Sequence, residues 1–311
     1  MPSLRYYSRG KFLISGEYLV MKGALALALP LKFGQSLEVS VSRRDGISWK
    51  SFEKDMLWFE ADFSLPSFEI SKTSDTEKAV FLKKLLQNAF RMNPDWFEAN
   101  VGFDVISKAD FDLRWGLGSS STLISNVAWW FGINPFDLHF SVSGGSAYDI
   151  ACARATGAIF YQLNEHQPVI TPVSFNPVFK NQLYFVYSGK KQRSDISILQ
   201  MAGRLEVNDS KIDEVSAISK KLAESTTISE FELLIDEHEQ ILSELFDLPT
   251  VKRSFFPDFS GSAKWLGAWG GDFFMMTWKD DPKLLSDYLT SKGFDTVFSF
   301  NDMVLPSDNY Y

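Results

Sequence analysis

Hydrophobic and polar positions along this chain follow two periods, and the switches between them outline its elements. Leu37, Val39 and Val41 alternate with polar neighbours, as Val101, Phe103 and Val105 do again later, the pattern of a strand with one buried face. Short apolar runs at residues 11–14, 183–187, 273–278 and 296–300 also predict strands. Between Glu77 and Met92, the residues Val80, Phe81, Leu85, Ala89 and Phe90 recur at near-helical spacing and predict an amphipathic helix. Further helices are predicted over residues 122–131, from Ser146 onward, within 195–205, and over 211–224, 229–246 and 282–292. Strands and helices mix irregularly instead of alternating strictly, which favours an α+β fold over a doubly wound parallel sheet.

Composition narrows this picture. At 311 residues and 45% hydrophobic content, the chain suits one large domain or two packed ones, and a division into 1–170 and 171–311 is expected. Cys152 is the only cysteine, so no internal disulfide can form, and a reducing compartment such as the cytoplasm is expected. The formal net charge of -8 speaks against nucleic acid as a partner, because phosphate-backbone affinity needs clustered Lys and Arg. A small phosphorylated ligand needs only one locally positive pocket and stays open. The early apolar stretch at residues 24–31 is too short to span a membrane, and no signal pattern precedes it, so no membrane partner is expected. The 28 phenylalanines point to an aromatic core, with exposed ones able to support a homodimer.

The first candidate chemistry is Gly116-Leu117-Gly118-Ser119-Ser120-Ser121. Its glycines let the backbone approach a ligand, its serines add hydroxyls, and the helix that follows offers free N–H groups to an anion. A tight turn with a serine helix cap fits the same residues equally well. The pattern is not a Walker loop, since no Gly-Lys-Ser/Thr follows, nor a dinucleotide fingerprint, since Ser121 stands where the third glycine belongs. Near the start, Lys11 in Gly10-Lys11-Phe12-Leu13-Ile14-Ser15-Gly16-Glu17-Tyr18 begins an apolar strand, where its ammonium either meets a transferring phosphoryl group or lies in solvent. Asp149, after Gly144-Gly145-Ser146, is placed either to act as a general base or to close a capping box with Ser146. A third glycine cluster, Gly261-Ser262-Ala263-Lys264-Trp265-Leu266-Gly267-Ala268-Trp269-Gly270-Gly271-Asp272, precedes an apolar strand and reads as a turn or as a further wall of a phosphate site.

Taken together, in this order and at this spread, the three glycine-bearing motifs resemble those of the GHMP kinases, the superfamily of galacto-, homoserine, mevalonate and phosphomevalonate kinases. The resemblance runs from Lys11 to about Trp278. Gly16-Glu17-Tyr18, Asp149-Ile150-Ala151 and Gly270-Gly271-Asp272 lean towards the phosphomevalonate type. Ala147-Tyr148-Asp149-Ile150-Ala151 is similar to the signature of the bacterial GYDIA subgroup, with Ala147 in place of its glycine.

The resemblance implies two α+β lobes with the site in the cleft between them, and ATP-dependent phosphorylation of mevalonate or phosphomevalonate with ATP and Mg²⁺ as cofactors. It makes Asp149 the catalytic base or an orienting group, and Lys11 the cation that stabilises the transferred phosphoryl and pairs with Asp149. Gly116, Gly118, Ser119, Ser120, Ser121, Gly270 and Gly271 would hold the nucleotide phosphates, with the Ser120 hydroxyl reaching Mg²⁺. Glu17, Lys190, Arg193 and Ser194 would face an acceptor bearing a carboxylate or phosphate; a solvated basic turn is the other reading of residues 188–194. The chain departs from the family at Trp269, where glycine is usual, at Trp115, where a small residue or proline is, and in having Asp137 as the only acid between Thr122 and Gly145. Those departures keep two other readings open, a nucleotide- or metabolite-binding homologue without turnover and a diphosphomevalonate decarboxylase.

Overall fold

The computed structural model describes residues 3–96, 101–165, 167–189, 208–267 and 271–306. Its strands are β1 (Leu4–Leu13), β2 (Ala26–Ser42), β3 (Ile47–Glu53), β4 (Met56–Phe63), β5 (Ile70–Thr73), β6 (Gly102–Ala109), β7 (Ile159–Asn164), β8 (Gln167–Pro172), β9 (Leu183–Tyr187), β10 (Ala263–Leu266), β11 (Phe273–Thr277) and β12 (Val297–Ser299). Its helices are α1 (Thr76–Met92), α2 (Ser119–Phe131), α3 (Pro135–Val142), α4 (Tyr148–Arg154), α5 (Asp209–Glu224), α6 (Ile228–Phe246), α7 (Val251–Phe255), α8 (Pro282–Ser291) and α9 (Phe300–Met303). The fold is α+β, as the irregular order of elements predicts. The helix expected within 195–205 lies outside the described residues. Among the described residues, no helix is long and apolar enough to cross a membrane.

The chain divides into two compact units. The first is Met1–Gly10, Phe33–Leu113 and Leu117–Arg154, and the second is Lys11–Lys32, Arg114–Gly116 and Ala155–Tyr311. The break expected at residue 170 therefore falls at Arg154, and two earlier segments join the second unit. Strand length is the reason: β1 and β2 each begin in one unit and end in the other, which no local pattern in the sequence announces.

In the first unit the strand order is β5-β4-β3-β6-β2, with β3 and β6 parallel and the other neighbours antiparallel. Leu37 and Val39 of β2 and Phe103 and Val105 of β6 are buried, as their alternation predicts, while Val41 at the strand end is exposed. Asp75 caps α1 by accepting from the Lys78 N–H, and the helix buries Ala79, Leu82, Leu85, Leu86 and Ala89. Val80, expected on that stripe, faces outward.

In the second unit, β10-β11-β9-β12 form an antiparallel sheet, and the opening residues of β2 pair with β7, which pairs with β8. With a neighbour on each side, β9 buries Leu183, Phe185 and Val186, which accounts for its unbroken apolar run. The strand expected at 296–300 stops at Ser299, because Ser299 and Asp302 form a capping box that starts α9 at Phe300. Helix α6 packs against both α5 and β10. The phenylalanine-rich core is observed: Phe63, Phe111 and Phe131 in the first unit, and Phe185, Phe231 and Phe273 in the second, are fully buried.

Candidate active site

In the first unit, the glycine–serine loop runs directly into α2. Gly118 takes φ 101° at the cap position and the helix begins at Ser119, three residues earlier than its apolar run implies. The Ser121 hydroxyl donates to the Gly118 carbonyl at 2.8 Å, and the Thr122 N–H reaches the same oxygen at 2.9 Å. Ser121 is thus buried and committed to the turn, whereas Ser119 is half-buried and Ser120 exposed. The first-turn N–H groups of a helix have no acceptor within it, so the loop presents donors and hydroxyls to an anion.

A buried polar network fixes α2 in place. Asn126 Nδ2 donates to the Gln35 carbonyl at 2.8 Å, and the Ser8 hydroxyl donates to Asn126 Oδ1 at 2.8 Å. Thr122 Oγ1 donates to Gln35 Oε1 at 2.6 Å, and Gln35 Nε2 to the Ser107 hydroxyl at 2.6 Å. The loop itself lies on Gly10 of β1, where a Cβ would stand 2.8 Å from the Leu117 carbonyl oxygen. Sequence reasoning missed Ser8, Gln35 and Asn126, although Asn126 inside the apolar run of α2 is the visible signal.

Asp149 stands in the first turn of α4, the helix that packs against α2. Its Oδ1 accepts from the Ile150 N–H at 3.0 Å. The Ala147 carbonyl accepts from the Ile150 and Ala151 N–H groups, so the cap falls at Ala147, one residue after the position a Ser146 capping box requires. At the far end of α4, Arg154 Nη2 donates to the Ser125 carbonyl at 2.9 Å, and the guanidinium lies 3.7 Å from the centre of the Trp129 ring. The carboxylate and the glycine–serine helix start therefore sit on two helices clamped together.

The second unit assembles a different group. Lys11 Nζ donates to the Gly116 carbonyl at 3.1 Å. Gly116 has φ 63°, and a Cβ there would lie 1.7 Å from Asp272 Oδ2, so only glycine fits. The Ser188 N–H donates to the Asp272 carbonyl and the Ser188 hydroxyl to the Gly271 carbonyl, both at 2.8 Å. Trp115 packs edge-on against Phe298, with ring centres 5.0 Å apart.

Next to this group, Lys264 of β10 is completely buried and donates to Glu17 Oε1 and, at 2.8 Å, to the Trp265 carbonyl. Glu239 Oε1 lies 3.9 Å from Lys264 Nζ, and His238 Nε2 accepts from the Gly16 N–H at 3.0 Å. Burial raises the pKa of Glu17 against the opposing pull of Lys264, and raises that of Glu239 to about 8. Burial, and then Lys264, hold His238 well below its ordinary value.

Comparison with solved structures places this architecture. Streptococcus pneumoniae phosphomevalonate kinase, solved with phosphomevalonate and AMPPNP, superposes with a TM-score of 0.71 at 17% identity, covering 95% of this chain and 99% of that one. The chain has the GHMP kinase fold. Methanococcus jannaschii mevalonate kinase matches at TM-score 0.67 and 17% identity over 96% of this chain and 97% of its own. Lactococcus lactis galactokinase complexed with galactose matches at 0.68 and 12% identity over 98% and 94%. No family model and no curated protein matches the sequence.

On the GHMP kinase fold, the structure joins Gly118, Ser119, Ser120 and Ser121 to the α2 start, sets Asp149 on the adjoining helix, and sets Lys11, Gly116 and Gly271 together in the second unit. Glu17, expected at the substrate, is only 2% exposed and meets Lys264 instead. Its carboxylate is occupied inside the fold. Lys190, Arg193, Ser194, Trp269 and Gly270 lie outside the described residues. Asp137 starts α3 in an exposed position, and among the described residues no cluster of three His, Cys, Asp or Glu side chains is arranged to hold a metal.

The buried acids give stability a defined pH dependence. Glu239 keeps its proton in the folded state up to about pH 8, while the unfolded chain releases it near 4.5. Stability from this group is full below 4.5 and falls as pH rises to 8. His238 acts in the opposite sense, since below about 6.5 only the unfolded imidazole takes up a proton. The two slopes oppose each other below 6.5, and above it the Glu239 slope is no longer opposed by His238. From pH 6.5 to 8 the wild type should lose roughly 2 kcal/mol, at about 1.4 kcal/mol per unit, and Glu239→Gln should stay level. Urea titrations of both proteins across that window measure the difference; parallel curves would exclude a protonated Glu239.

Proposed function

We propose that this protein is an ATP-dependent kinase that phosphorylates a small isoprenoid-precursor acid, phosphomevalonate or mevalonate. The observation that carries the reading is the anion-binding start of α2 with Asp149 on the helix packed against it. The γ-phosphoryl of ATP passes to an oxygen of the acceptor: the new O–P bond forms, the bond to the β-phosphate oxygen breaks, and ADP leaves. Asp149 takes the proton of a hydroxyl acceptor, or orients the oxygen of a phosphate acceptor that is already ionised. The N–H groups of the first turn of α2 and the hydroxyls of half-buried Ser119 and exposed Ser120 hold the nucleotide phosphates. Lys11 answers the charge on the transferred group, and Lys190, Arg193 and Ser194 are assigned to the acceptor's anionic end.

Mg²⁺ would be held by the phosphates and the Ser120 hydroxyl, supplying charge neutralisation. An exposed hydroxyl with few protein ligands suits an ion that retains its waters. Substrate class rests on the motif resemblance and on the fold, which galactokinase shares, so the acceptor is the point to test. Coupled ADP release with mevalonate, phosphomevalonate and a sugar panel should show turnover with one of the first two. Turnover on a sugar alone would move the protein to another acceptor class, and carbon dioxide release would make it a decarboxylase. AMPPNP binding without transfer to any acceptor would leave a nucleotide-binding protein.

A further inference from the structure

We propose that His139 is a positioning residue for Asp149: it ties down the glycine loop that leads into α4 and so fixes where the carboxylate stands. The proposal rests on the kinase reading above, in which Asp149 meets the acceptor. Ser143, Gly144, Gly145, Ser146 and Ala147 join α3 to α4. Two adjacent glycines give such a segment wide freedom, and a Cβ on Gly144 would meet nothing within 4 Å. His139, on α3, removes that freedom. Its Nε2 donates to the Gly144 carbonyl at 3.2 Å, and its own carbonyl accepts the Ser143 N–H at 2.8 Å. A carbonyl can only accept, so this bond sets the ring hydrogen on Nε2.

The loop ends on a strained residue. Ala147 takes φ 61°, a left-handed conformation in which an alanine Cβ crowds the backbone. Its carbonyl accepts the Ile150 and Ala151 N–H groups, so this conformation sets the direction of α4 and of Asp149, two residues on. Strain of this kind persists only where the surroundings enforce it. Here the Ala147 methyl is buried in the same core cluster as Leu138 and Ile150, and the other end of the loop is held by His139. Stability alone does not call for histidine at this place. His139 is 4% exposed, and its Nδ1 is buried with no hydrogen-bond partner among the described residues. Helix α3 packs against α1, α2 and α4, where an apolar side chain would carry no such unpaired nitrogen. What histidine supplies and leucine does not is the bond to Gly144. Both costs, the unpaired nitrogen and the left-handed alanine, fall just before Asp149.

The test compares His139→Leu, which fills the site without a donor, with His139→Gln, whose amide can still donate to Gly144. Four quantities are read: melting temperature, amide exchange of residues 143–151 in the ligand-free protein, AMPPNP affinity by calorimetry, and single-turnover transfer to the active acceptor. His139→Leu should melt at or above the wild-type temperature, because the unpaired nitrogen is gone. It should nevertheless exchange faster at Ile150 and Ala151 and transfer phosphate about tenfold more slowly, with AMPPNP affinity unchanged. His139→Gln should return exchange and transfer to within a few-fold of the wild type. Wild-type exchange and transfer in His139→Leu overturn the positioning role. A lowered melting temperature with transfer and AMPPNP affinity lost in step also overturns it, as the mark of a merely structural residue, and so does a glutamine variant no better than leucine. A wild type that transfers phosphate to no acceptor overturns the kinase reading and the purpose given to His139, whatever the exchange of the loop shows.

Discussion

Asp149→Asn is expected to lower phosphoryl transfer by about 10²–10⁴-fold, the usual contribution of a positioned proton acceptor, while AMPPNP binding stays at the wild-type level. The separation follows from where the groups sit. Asparagine keeps an oxygen able to accept from the Ile150 N–H, so the first turn of α4 retains its local bond. Arg154 still clamps the other end of the helix to Ser125 and Trp129. The groups proposed to hold the phosphates are on α2 and lose nothing. Single-turnover ADP release with the active acceptor, beside calorimetry with AMPPNP, reads the two halves separately. Transfer within a few-fold of the wild type would remove Asp149 from the proton-accepting role, and loss of nucleotide binding would show that its part is structural.

Lys264→Met is expected to destabilise the protein by about 3–5 kcal/mol, because it removes the cation from between two buried carboxyls. Glu17 must then be buried without its counter-ion, beside a Glu239 that already holds its proton up to about pH 8, and Glu17 escapes that cost only by taking a proton as well. The loss should therefore be smaller at pH 5 than at pH 8. Adding Glu17→Gln to Lys264→Met should recover part of it by leaving a single buried acid. Urea denaturation of the single and double variants at the two pH values measures this. A single variant within 1 kcal/mol of the wild type would mean that the ammonium is not needed inside the fold.

The proton inventory of this cluster also explains why local reading misplaced Glu17. In the sequence, Gly16-Glu17-Tyr18 is a turn after an apolar strand, and a turn carboxylate ordinarily faces water. What turns it inward is Lys264, 247 positions away, and no local pattern connects the two. A signal did exist at the other end. Lys264 interrupts a strand whose residues Ala263, Trp265 and Leu266 are all buried, and His238 sits on the apolar stripe of α6 with Phe231, Ile235 and Leu242. A charged residue where the period demands an apolar one calls for a buried partner.

Other features were readable because short-range chemistry sets them. Strand β9 was predicted at its observed limits, since a run of five apolar residues between polar ones leaves little choice. The glycine–serine loop leading into α2 was readable because its glycines, serines and apolar run are contiguous. The start of α2 was set three residues too late, because the return of the Ser121 and Thr122 groups to the Gly118 carbonyl draws the serines into the helix. Val80 was assigned to the buried face of α1 on hydropathy alone, whereas the buried stripe passes through Ala79 and Leu82. Periodicity says that a helix has a buried face more reliably than it says which neighbouring residue borders it.

By itself, the sequence determined the α+β class, helices such as α1, α2, α5, α6 and α8, strands such as β6, β9 and β11, and three glycine-bearing motifs whose order resembles one kinase superfamily. Each of these depends on residues near one another in the chain, where backbone preference and periodicity act. Only the tertiary structure decided that Ser121 is spent on its own turn while Ser119 and Ser120 are presented, and that Asp149 stands on a helix clamped to α2. It alone revealed that Gly116 must be glycine because Asp272 lies against it, and that Glu17 belongs to a buried ion cluster. Those outcomes depend on which distant side chains fold against one another, since burial and pairing set both the charge a carboxylate carries and the ligand it can reach.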